Sequence, residues 1–200
     1  MRGVRSTPLC GNGVIGEIMK KRLGYVVAGV ATLACAVALS AGPSIASSPQ
    51  VSIVAKPPAG FLPNAKKTPG ATAPAVTQAN IKKTICVSGY TATIRPPASY
   101  TTKLKKNQLA SGYAYHGIMT TSYYEEDHLI SLELGGAPKD PKNLWPEPYN
   151  GPYGAHTKDK LENTMHKMVC NGSISLKTAQ QLEAKNWYSA YRVYVLHTAG

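Results

Sequence analysis

Hydrophobic and polar positions change rhythm several times along the chain, and each rhythm predicts an element. Residues 23–42, LGYVVAGVATLACAVALSAG, are apolar or small throughout. From Ser47 to Asn80 the apolar signal fades into Pro, Ala, Lys and Thr, as in KPPAGFLPNAKKTPGATAPAV, too few large side chains to bury a core of their own. ICVSGYTATIRP (Ile85 to Pro96) alternates β-branched and small residues up to Pro96-Pro97, which predicts a strand or hairpin. SYTTKLKKNQLASG offers Ser and Thr caps, apolar Leu104 and Leu109 and a Gly stop at Gly112, which predicts a short basic helix. TTSYYEEDHLISLEL is strand-forming and breaks at Gly135-Gly136, and NLWPEP is a second extended piece. Helical spacing then returns: Leu161, Met165 and Met168 form one stripe, ended by Asn171-Gly172. A last helix starts at the Ser175 cap, with Leu182, Trp187 and Tyr191 as core contacts. No internal repeat is visible.

Composition and charge change this picture at the amino terminus first. Lys20-Lys21-Arg22 precede the apolar run, and Pro43-Ser44-Ile45-Ala46 follows it with small residues where a signal peptidase cuts. Residues 1–46 therefore read as a signal peptide, with Met19 as the expected start of translation and a secreted or cell-surface bacterial protein as the product. Retention as a membrane anchor is the alternative, because the run is long enough to span a bilayer of roughly 30 Å. Residues 47–80 read as a disordered linker and 81–200 as one folded domain. The whole chain carries 22 Lys plus Arg against 10 Asp plus Glu. Five of those bases and one acid lie in the leader, so the remainder stays strongly basic, which favours a polyanionic partner. Cys86 and Cys170 are the two cysteines left after the leader, and in an oxidising compartment a disulfide is their expected state.

Candidate chemistry concentrates in DHLISLELGGAPKDPKNLWPEP, Asp127 to Pro148. An acid and a histidine end the first extended piece, and Asn143 opens the second. A neutral imidazole can take a proton from water near neutral pH, and a divalent cation offsets the charge that develops in phosphodiester cleavage.

Three blocks, YEEDHLISLELGG (Tyr124 to Gly136), NLWPEP (Asn143 to Pro148) and AHTKDKLE (Ala155 to Glu162), together resemble the HNH endonucleases of the ββα-metal, or His-Me finger, fold, in particular small exported bacterial members. The resemblance implies an α+β fold: a ββα-metal core with an added basic helix, a preceding strand or hairpin and a carboxy-terminal helix. It also implies an endonuclease hydrolysing DNA, or RNA, with one divalent metal ion, Mg²⁺, Mn²⁺ or Zn²⁺. His128 would be the general base, Asn143 the structural asparagine that pins the backbone around His128, and Asp127 a metal ligand. The third ligand is left between His156 and Asp159. Arg95, Lys103, Lys106, Lys158 and Lys160 are candidates for a phosphate-binding rim, alongside Lys105. A monomer is expected. The competing class is a basic cell-envelope or nucleic-acid-binding protein that keeps the fold without the chemistry. In a straight strand Asp127 and His128 point to opposite faces, so one shared site requires the strand to bend or end there. Glu125 and Glu126 read as solvated strand residues, Trp145 and Trp187 as core, and His116, His166 and His197 as structural.

Overall fold

The computed structural model describes residues 57–198, so the expected signal peptide and the first ten linker residues lie outside it. After a 3₁₀ helix, Gln78–Lys83, come α1 (Tyr90–Ile94) and α2 (Ala98–Gln108). Strand β1 (Tyr124–His128) pairs antiparallel with β2 (Leu144–Pro148), in register from Tyr124↔Pro148 to His128↔Leu144. Helices α3 (Ala155–Cys170) and α4 (Leu176–Tyr194) complete the chain. The class is α+β, with one two-stranded sheet among the described residues. No helix among them is long and apolar enough to cross a membrane.

The core lies between the sheet and the α3–α4 pair. Leu161, Met165 and Val169, spaced four apart on α3, have no exposed surface and meet Trp145 of β2 and Trp187 of α4, also fully covered. Val169 continues the stripe where Met168 was expected; Met168 is half-buried. Asn171 ends α3 and Gly172 follows at φ 85°, a left-handed conformation that glycine adopts without steric cost. Ser175 caps α4 by accepting a hydrogen bond from the Thr178 N–H at 3.1 Å.

Two expectations are overturned. Ile85 to Pro96 forms neither strand nor hairpin. Ile85 is buried, Cys86 is tied to Cys170, and Gly89 at φ 80° turns the chain into the single helical turn of α1. Alternation alone makes no strand without a partner strand, and neither β1 nor β2 pairs with this segment. Nor are residues 57–80 a free linker. Phe61, Thr68 and Val76 are buried, and the backbone runs along the β1–β2 connection through Gly70 N to Lys142 O, Ala73 N to Gly135 O and Ala137 N to Ala71 O, at 2.8–2.9 Å. The segment has too few apolar groups for its own core, but its peptide groups can bond to another element whatever its composition.

Candidate active site

The connection between the strands is held by one side chain. Asn143 has no exposed surface; its Nδ2 donates to Ile130 O at 3.0 Å and Ala137 O at 3.3 Å, and its Oδ1 accepts from Ile130 N at 2.9 Å and Ala71 N at 3.3 Å. Gly136 makes this closure possible. A Cβ there would lie 1.8 Å from Ile130 O and 2.8 Å from Asn143 Nδ2, so only hydrogen fits. Asn143 is thus bonded across the loop that leaves His128, to Ile130 and Ala137.

The His128 side chain is buried, at 3% residue exposure. A carbonyl can only accept, so its Nε2–H donates to Pro138 O at 3.0 Å, and in the neutral ring Nδ1 keeps its lone pair. Burial holds the imidazole below its ordinary value, against the opposing pull of Asp127. The neutral ring is the form a general base requires.

Asp127 belongs to the other face. β1 pairs without a bulge through His128, so neighbouring side chains alternate: Tyr124, Glu126 and His128 are buried on one side, and Asp127 turns toward α3. There Lys158, with no exposed surface, donates from Nζ to Asp127 Oδ2 at 2.7 Å, to His128 O at 2.7 Å and to the Glu162 carboxylate. Its three N–H donors have three acceptors. Burial would raise the Asp127 value, but the Lys158 charge together with the hydrogen bonds from Glu147 and Lys158 outweighs it and keeps the carboxyl below the usual range. Burial pushes Glu147 well above the ordinary carboxylate value, with the Asp127 charge adding to it. Glu162 is also raised by burial, and Glu183, whose Oε2 accepts from Ser131 N at 2.8 Å, is raised to about 7. One ammonium among four carboxyl groups concentrates the negative charge on Asp127.

This arrangement does not fit a divalent ion held by Asp127, His156 and Asp159. The lysine ammonium fills the position a cation would take on Asp127, and the two helix candidates are elsewhere. His156 Nδ1 lies 3.6 Å from Asp159 Oδ2 with both side chains 55% exposed, and the His156 ring packs edge-on against Tyr149 at 4.4 Å. The cause is helical phase: positions 158 and 162 point inward with 161 and 165, which leaves 156 and 159 outside. Among the described residues, the one set of three or more potential ligand atoms close together is Cys86, His166 and Cys170.

Of the expected phosphate rim, Arg95, Lys103, Lys106 and Lys160 are exposed, whereas Lys158 is buried and Lys105 donates to Tyr124 O at 2.7 Å. Lys103 and Lys106 border a shallow depression on α2 with Ser99, Thr102 and Asn107. Glu126 is not solvated: it is 9% exposed, and burial, against the nearby Lys105 charge, raises it to about 8. Trp145 and Trp187 are core as expected, and Cys86 and Cys170 form the disulfide, with Cα atoms 5.7 Å apart. His166 has named partners, Ile85 O at 2.8 Å and Glu133. The buried charges had a readable signal in part. Lys158 and Glu162 are four apart, and Glu183 falls on the α4 stripe of Leu176, Ala179 and Trp187.

Comparison of the chain with protein-family models, with curated proteins and with solved structures returns no match. What fold and site define by themselves is an α+β domain whose two-stranded sheet is followed by a packed helix and carries a buried neutral histidine on one face and a buried lysine–carboxylate cluster on the other.

Proposed function

We propose that this chain is an exported hydrolase of phosphodiester bonds in nucleic acid, DNA before RNA, built on a ββα core of HNH type with His128 as general base. One observation carries the reading: the His128 ring stands at the end of β1, beside the asparagine-pinned loop, with Nε2–H committed to Pro138 O, which leaves Nδ1 as the proton acceptor. The strand–strand–helix order and the exposed cations Arg95, Lys103 and Lys106 support it. At 3% residue exposure the ring is nearly covered, so this reading requires substrate binding to widen access to it. No step is assigned to a metal at Asp127.

The test is plasmid and oligoribonucleotide digestion by the wild-type chain and His128→Ala, each with and without chelator. Loss of at least about 100-fold in the variant is expected, the scale of general-base contributions. Cleavage at equal rates by both proteins would remove the mechanism.

A second reading, a non-catalytic nucleic-acid or cell-envelope binder, is favoured by the complete saturation of Lys158 on Asp127, Glu162 and the His128 carbonyl. Under that reading the wild type retains DNA without cutting it. Replacing Arg95, Lys103 and Lys106 by Ala then reduces the slope of log affinity against log salt by about one for each phosphate that is no longer neutralised.

A further inference from the structure

The corner where α3 ends opposite the 3₁₀ helix holds a set of groups that the proposed hydrolysis leaves unused. His166 and Cys170 are four apart on one face of α3, and Cys86 meets them from the neighbouring segment. One nitrogen of His166 and the two sulfurs lie within 4.8 Å of one another. His166 Nε2–H donates to Ile85 O at 2.8 Å, which leaves Nδ1 as the lone-pair nitrogen of the neutral ring. That nitrogen lies 3.8 Å from Glu133 Oε2, and this oxygen is buried without a hydrogen-bond donor. Two thiols and an imidazole are three donors of the kind that hold a tetrahedral zinc centre with one open position, and the Glu133 carboxylate beside the imidazole can orient it. All three residues are partly exposed, so an ion can enter.

We propose that reduction of the Cys86–Cys170 bond converts this corner into a zinc site, with Cys86 Sγ, Cys170 Sγ and a ring nitrogen of His166 as protein ligands and the fourth position open to water. A dithiol reductant supplies two electrons and two protons; the S–S bond breaks, two thiols form and the reductant closes to its own disulfide. Zn²⁺ then releases both thiol protons to solvent as two metal–sulfur bonds form. Lys82, whose ammonium donates to Cys170 O, brings a positive charge to the same corner, which favours the thiolate. The disulfide and the metal exclude each other because they use the same sulfurs.

The test uses the full chain with Cys10→Ser and Cys35→Ser, so that no other thiol is present. The protein is reduced with a phosphine, freed of reductant without air and titrated with Co²⁺, then with Zn²⁺. A thiolate-to-cobalt charge-transfer band that saturates at one equivalent and bleaches on adding Zn²⁺ is expected from reduced protein and absent from oxidised protein. His166→Ala or His166→Gln weakens Co²⁺ binding at least tenfold; the second variant keeps the side-chain volume if the first loses the fold. The proposal is overturned by no band in reduced protein, by a band already present in oxidised protein, or by unchanged affinity in both variants.

Discussion

At the scale of single residues, Asn143 and Glu126 show how burial turns ordinary side chains into structural commitments. Asn143→Ala would strand the Ile130 N–H and carbonyl in the interior, and unsatisfied buried groups cost about 1–3 kcal/mol each. A destabilisation of about 3 kcal/mol in chemical denaturation is the expected result, with no change in the far-UV helix signal. Glu126 makes a pH prediction. Its folded value of about 8 exceeds the ordinary 4.5, so the folded form holds a proton that the unfolded chain has released. The stabilisation is full below about pH 4.5 and disappears as pH rises through about 8. Asp127, held low, acts oppositely only in acid, and His128, also held low, acts oppositely only up to its unfolded value of 6.5. Between pH 6.5 and about 8 the wild-type Tm should therefore fall, and fall less in Glu126→Gln. Equal slopes would mean that Glu126 is ionised in the folded protein.

At the scale of elements, β1 and α3 divide the Asp-His pair between them. β1 stays regular to its end, so Asp127 goes to the helix and His128 to the opposite face. α3 meets Asp127 with Lys158 in place of an exposed ligand. Removing one partner of a buried pair leaves an uncompensated charge and costs about 3–5 kcal/mol. Lys158→Met is expected to destabilise by that amount, and Lys158→Met combined with Asp127→Asn to recover a substantial part. If urea denaturation shows additive losses, the two side chains do not act as a pair.

At the scale of the molecule, two long-range ties close a modest core. The disulfide joins residues 84 apart, from the segment after the 3₁₀ helix to the end of α3. In the chain-entropy model a loop of that length contributes about 4 kcal/mol, of which about 2–4 is the usual measured return. Cys86→Ser with Cys170→Ser should lower the denaturation midpoint accordingly while the fold persists. The second tie is the 57–77 segment, whose peptide groups line the β1–β2 connection. Its composition is that of a linker, and its placement is that of a structural strap.

The sequence by itself determined what depends on neighbours along the chain. The period of Leu161 and Met165, the Ser175 cap, the Asn171-Gly172 stop and the pairing of two cysteines are local or combinatorial facts, and each is found in the fold. The exchange of Asn143 with Ile130 was legible only through the likeness of its motif. Only the tertiary structure decided which face of each element turns inward. One step of helix phase, about 100°, separates buried Lys158 from exposed Asp159, and both look like surface charges in a one-dimensional pattern. A peptide segment poor in apolar groups is likewise read as free until a partner backbone is placed beside it, because hydrogen-bonding capacity is the same in every sequence.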